Sequence, residues 1–407
     1  MIEHNVNKKT KRIAHLMIVW QSLLSIPYIL SFLGIGFLSS VSSYYNIFVA
    51  MAIMVYLLYL RKKCRVSVLR YIMLLLLIQI ISIILNGSIG SLILSLSECI
   101  MVYIMLDAFL SDIFKNTELS PLWDFVIVFG LILCVANIII NGINTFSFWA
   151  TNTSLYSSAL SSIFGNKNTW GQFLLPPCMI AIFQFCWTGK KKYMLAFLVL
   201  LWNLFTSFSR TSVACLVIFV CLFILLFKKW NIKKICLIFL LIMFTVIILN
   251  LDVVSSFINS FYRTNDNGFT GRTDLWEIGL NAFSKHPFVG VGMGRSPSIL
   301  AGRANVEEFH NEFIEILVAG GFLKFFLIMG VLLSSLHQGF GLFKKNRIHG
   351  AFCVSAWVSF MVYMFFESFQ LFGRSLVTVI PTFVIISLPQ ILNKQCDMIL
   401  GKDISKL

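Results

Sequence analysis

The chain is a succession of apolar runs, each about as long as a bilayer-crossing helix, separated by short polar segments. A helix rises about 1.5 Å per residue, so about 20 apolar residues cross the hydrocarbon core. Twelve runs can be read, near 16–38, 44–60, 68–85, 90–110, 122–141, 171–187, 193–208, 211–227, 235–251, 312–336, 351–368 and 374–391. Only 12% of the residues are charged, about half the share of a soluble domain. The expected fold is all-α: a polytopic membrane protein of about 12 transmembrane helices, with 1–407 forming a single integral membrane domain. The first run starts near Leu16 and passes Gly36, too long for the core of a cleavable signal. The runs 193–208 and 211–227 are separated only by Ser209 and Arg210. Read as one helix they would overshoot the bilayer, so a tight turn at Arg210 is expected.

Basic residues fix the expected orientation, because they collect in cytoplasmic loops. They cluster at Lys8, Lys9, Lys11 and Arg12, in 61–70, in 188–192, in 228–234, at Lys344, Lys345 and Arg347, and in the C-terminal tail. Both termini are then cytoplasmic. This asymmetry also accounts for the net charge of +15, which in a soluble chain would suggest nucleic acid; no nucleic-acid partner is expected. None of the ten cysteines falls in a predicted outer loop, so no disulfide framework is expected. No Cys/His spacing suggests a metal, and no cofactor is expected.

One segment breaks the charge rule. The long extracytoplasmic loop 252–311, between the ninth and tenth spans, carries Arg263, Arg272, Lys285, His286, Arg295, Arg303 and His310. Cations held on the wrong side of the rule point to an anionic ligand. Arg210, at the outer end of two spans, reads as an interfacial anchor or as a guanidinium fork on phosphate. Arg272 begins a stretch with helical spacing of Leu275, Ile278, Gly279, Ala282 and Phe283, ended by a turn at His286-Pro287. A cation in that first turn opposes the helix dipole unless both face an anion. The string Gly290-Val291-Gly292-Met293-Gly294-Arg295 reads as a close-packed turn or as an amide nest for phosphate. It lacks the lysine of a nucleotide loop.

The loop closes with Glu307-Glu308-Phe309-His310-Asn311-Glu312-Phe313-Ile314-Glu315. Helical spacing would put Glu308, Glu312 and Glu315 on one face, leading into a span interrupted near Gly320-Gly321. His310, at the lipid–water boundary among carboxylates, suits a proton acceptor at neutral pH. Asn311 and Arg295 are candidate substrate contacts, as is Arg303. Asn166, Lys167 and Asn168, before the sixth span, could meet sugar hydroxyls, or form a helix-starting turn with Trp170 as an interfacial belt residue. Arg374 reads as a substrate contact or as a local ion pair with Glu367. Glu98 and Asp107, acids within the fourth span, stay open between function and structure.

With Ser209-Arg210-Thr211, Gly271-Arg272, Trp276, Pro287, Gly290-Val291-Gly292, His310-Asn311-Glu312 and Gly320-Gly321 in this order, residues 205–325 resemble the O-antigen polymerase and O-antigen ligase superfamily. The resemblance implies a metal-independent membrane glycosyltransferase of the GT-C type, using a glycan on undecaprenyl diphosphate at the outer face of a bacterial cytoplasmic membrane. It implies that Arg210 and Arg272 hold the diphosphate and that His310 helps activate the acceptor hydroxyl. A polymerase of O-antigen, capsule or exopolysaccharide repeat units is expected, with a ligase to lipid A core as the alternative. The lipid bilayer and the lipid-linked glycans are expected partners; a chain-length regulator and a flippase are candidate protein partners. The rival from another class is a lipid-linked sugar transporter. Such carriers concentrate polar groups at mid-membrane, whereas the polar groups here concentrate outside.

Overall fold

The structure is a computed structural model that describes residues 11–34, 42–61, 64–86, 90–111, 117–142, 161–227, 272–302 and 306–404. Among these residues the fold is all helical. Eight helices are long and apolar enough to cross a membrane, and the protein is a polytopic α-helical membrane protein. Every expected apolar run within the described residues falls on a helix; the run 235–251 lies outside them.

The chain divides into two units, Met1–Phe125 with Arg272–Leu407, and Val126–Gly271. The first begins with α1 (Arg12–Phe32), α2 (Ser42–Arg61), α3 (Val66–Asn86) and α4 (Gly90–Tyr103), which runs into a π-turn at Ile104–Ala108. α5 (Ser120–Asn141) crosses the boundary between the units. The second unit continues with α6 (Lys167–Thr188), α7 (Lys191–Thr206) and α8 (Arg210–Phe227). The first unit then resumes with α9 (Arg272–Lys285), α10 (Ser296–Leu300), α11 (Glu312–Lys345) and α12 (Arg347–Phe366). It ends with α13 (Leu376–Thr382), a π-turn at Phe383–Ser387, and α14 (Leu388–Ile404).

In the second unit the expected turn at Arg210 is present. α7 ends at Thr206 and α8 starts at Arg210. Gly171 of α6 packs so closely on this turn that a Cβ there would strike the side chains of Ser209 and Ser212. Polar groups in apolar surroundings need partners. Asn137 accordingly donates to Asn203 at 3.0 Å, and both are buried. Trp170, expected in an interfacial belt, is fully buried instead and stacks on Phe164 and Phe173.

In the first unit α11 is the central element, packed on α12, α14, α9 and α3. It is broken at Gly321, whose φ of 63° and ψ of −166° only glycine adopts readily. The break frees backbone groups that lipid cannot satisfy, and another segment of the chain satisfies them. Val291 N donates to Val318 O at 2.7 Å and Gly292 N to Ala319 O at 3.2 Å, while Phe322 N donates to Pro287 O at 2.8 Å. A Cβ on Gly290 or Gly321 would collide with the facing backbone. The glycine string is therefore a close-packed seam against the break. Its amides at Val291 and Gly292 are already engaged and do not form a free phosphate nest.

Both acids of the fourth span have partners. Glu98 meets Lys324 of α11 at 2.8 Å, and both side chains are almost wholly buried. Asp107 in the π-turn is fully buried and meets Arg65 at 2.7 Å.

Candidate functional site

The described residues of 272–302 and 306–311 fold onto the start of α11. Leu275, Leu300, Phe309, Ile314 and Val318 form a small apolar core, with Trp276, Phe283 and Val291 packed against it. Gly279 lets α9 approach Phe309 and Ile314, and Phe283 meets Phe322 edge-on, with ring centroids 4.9 Å apart. This core sets the two ends of the segment, Arg272 at the first position of α9 and His310 just before α11.

Both ends converge on one carboxylate. Arg272 Nη2 donates to Glu367 Oε1 at 2.5 Å, and His310 Nδ1 lies 3.0 Å from Glu367 Oε2. Glu367 follows the last residue of α12 and is buried. Its hydrogen bond holds the His310 imidazole above its usual pKa, outweighing the opposing effect of burial; the Glu367 charge adds to the rise and Arg272 subtracts from it. His310 has φ of 51°, a left-handed conformation that non-glycine residues adopt at a cost and that concentrates at functional sites.

A fan of carboxylates lies beside this group. Glu312 is fully committed to the backbone: its two oxygens accept from Gln370 N and Leu371 N, each at 2.7 Å. Glu315 accepts from Phe309 N at 2.8 Å, from Ser296 Oγ and from Ser368 Oγ at 3.3 Å. Glu308 has no hydrogen-bond partner among the described residues. Burial, then the Glu315 charge, pushes its carboxyl up to about 7. α11 starts at Glu312, so Glu308 precedes the helix and does not extend its acidic face as the spacing suggested.

The other expected site residues separate. Arg374 donates to Ser97 Oγ at 3.0 Å. Glu367 thus pairs with Arg272 and His310 rather than with Arg374, which corrects the local ion pair expected from the sequence. Asn311 is buried and caps α11, accepting from Ile314 N at 3.1 Å, so its side-chain oxygen is occupied. Arg295 stands half-buried before α10, and Arg303 lies outside the described residues. In the second unit, Arg210 is exposed at the first position of α8. Asn166 is the cap of α6, accepting from Asn168 N at 2.8 Å and from Thr169 N at 3.4 Å. The helix-starting role of the turn formed by Asn166, Lys167 and Asn168 is therefore met.

Sequence reasoning missed Glu367 as the link between Arg272 and His310. A carboxylate at the end of an apolar run is a functional candidate by default, but nothing in linear order pairs it with residues so far upstream.

Residues 195–329 match the family model described as O-antigen ligase. The matched range contains Arg210, Arg272, the glycine seam and His310. No curated protein matches the chain. This segment, a third of a multi-pass membrane protein, is therefore similar to the O-antigen ligase domain, whose family members are membrane glycosyltransferase-like enzymes.

Proposed function

We propose that this protein polymerises undecaprenyl-diphosphate-linked oligosaccharide repeat units into surface polysaccharide at the outer face of a bacterial cytoplasmic membrane. The observation that carries the reading is the bridge of His310 and Arg272 through Glu367. Glu367 takes the Nδ1 side of the imidazole, which leaves Nε2 as the proton acceptor. His310 removes the proton of the acceptor hydroxyl as that oxygen attacks the anomeric carbon of the donor glycan. The bond from that carbon to the diphosphate oxygen breaks, and undecaprenyl diphosphate leaves with the electron pair. Arg272, with one guanidinium nitrogen on Glu367, has further donors for the charge growing on the diphosphate. The resemblance implies the same task for Arg210, and guanidinium charge then stands in for a divalent ion.

The outward placement of 252–311, both cytoplasmic termini, and partnership with a flippase and a chain-length regulator belong to the same proposal. The test is incubation of the purified protein with one undecaprenyl-diphosphate repeat unit, with and without lipid A core. A ladder formed without core is the expected result. Transfer that occurs only with core makes the protein a ligase, and the absence of any covalent product would overturn glycosyl transfer.

A further inference from the structure

The first unit holds a partly open cavity of about 410 Å³, lined in part by Glu307 and Glu308 just before His310, within the size range of small-molecule sites. Its lining includes Glu308, Glu315, the buried Glu98–Lys324 pair and Arg374. Glu98 and Lys324 neutralise one another. Glu312 and Glu315 are saturated by backbone and hydroxyl donors. Lining groups with unused capacity among the described residues include the carboxyls of Glu308 and of the exposed Glu307, and the Nε of Arg374, which is buried without a partner. The cavity thus presents carboxyl acceptors and a guanidinium donor, inside a wall whose carboxylates outnumber its cations. A diphosphate is repelled there, as is any other anion. Hydroxyls or an ammonium suit it.

We propose that this cavity is the pocket for the acceptor sugar, with Glu308 accepting from a hydroxyl or amino group of that sugar, and that it admits neutral and amino sugars while rejecting uronic acids. The proposal rests on the glycosyl-transfer reading and gives its site two electrostatic halves. The diphosphate lies with Arg272, and the attacking sugar lies among the carboxylates. Between the halves, Glu367 links Arg272 to His310, whose charge is felt by both Glu308 and Glu315.

The test is saturation-transfer NMR on the full-length protein in detergent, with three probes: methyl glucoside, methyl glucosaminide bearing a free amine, and methyl glucuronide. The first two should bind, with the glucuronide at least about tenfold weaker. Glu308→Gln should weaken methyl glucosaminide about tenfold, the scale of one charge-assisted hydrogen bond. Met293→Trp, which narrows the cavity without touching a carboxylate, should abolish binding of all three. Equal binding of the three glycosides, binding of none, or binding indifferent to Met293→Trp would overturn the proposal. The readout needs no turnover: a repeat-unit ladder with charge-blind glycoside binding sinks this inference alone, while selective binding without any covalent product sinks the glycosyl-transfer reading and with it the acceptor role, leaving only the sugar selectivity of the cavity.

Discussion

His310 Nδ1 and Glu367 Oε2 stand 3.0 Å apart, and the second oxygen of the same carboxylate holds Arg272. One side chain therefore sets the imidazole tautomer and also aims a guanidinium. That coupling makes the pH behaviour of the protein predictable. In the proposed reaction His310 works in its neutral form, and the Glu367 hydrogen bond raises its pKa. Activity is then complete above the raised value and is lost as pH falls through it. In Glu367→Gln the acid limb of the rate profile should move to lower pH, because the charge that favoured the imidazolium is gone. The maximal rate should also fall, on the order of 100-fold or more, since the tautomer is no longer held. Rates of ladder formation across pH check both. An unmoved acid limb would remove Glu367 from the proton chemistry.

Arg272→Lys should lower kcat/KM by about 10- to 100-fold. In the proposed site a point charge can meet Glu367 or the diphosphate, but it cannot reproduce a fork that does both. Arg210→Lys should also lose most activity. The measurement is the initial rate against donor concentration, and full activity in both variants would reduce the arginines to anchors. Chelation by EDTA should leave the wild-type rate unchanged if the guanidinium groups carry the leaving-group charge.

The helical spans were legible because apolar run length is a one-dimensional property, and the interruption of α11 was visible in Gly320-Gly321. Arg272 and His310 stood out as polar residues at the ends of patterned segments. Glu367 did not, since its pairing depends on how α12 lies against α9 and α11. Arg374 was the nearer basic residue in sequence, yet the structure gives it to Ser97. Glu308 was misplaced for a local reason. Asn311 caps α11 and stops the helix before Glu308, so periodicity extended backward past a cap gives the wrong face.

The break in α11 makes opposite demands on two of its glycines. Gly321→Ala would place a Cβ against the backbone of Phe288 and force a conformation that only glycine tolerates. It should cost at least about 1–3 kcal/mol, read as a lower thermal transition in detergent. Gly330, on the same helix, has open space around it. Gly330→Ala should be neutral or slightly stabilising, by about 0.5–1 kcal/mol at most. Equal destabilisation by both changes would mean that the seam with 287–292 is not what holds the break.

The buried pair Glu98–Lys324 makes a separate prediction about stability. Removing one partner leaves a bare charge in low dielectric, which costs about 3–5 kcal/mol, whereas removing both removes the desolvation penalty as well. Lys324→Met alone and Glu98→Gln alone should each lower the yield of folded protein and its thermal transition. The double variant Glu98→Met with Lys324→Met should recover most of the loss. Lys324 also covers Gly320 with its aliphatic stem, and methionine keeps most of that cover, so the comparison isolates charge from packing. If the double variant is as unstable as the worse single one, the pair contributes through geometry that methionine does not restore, and charge compensation is not its role.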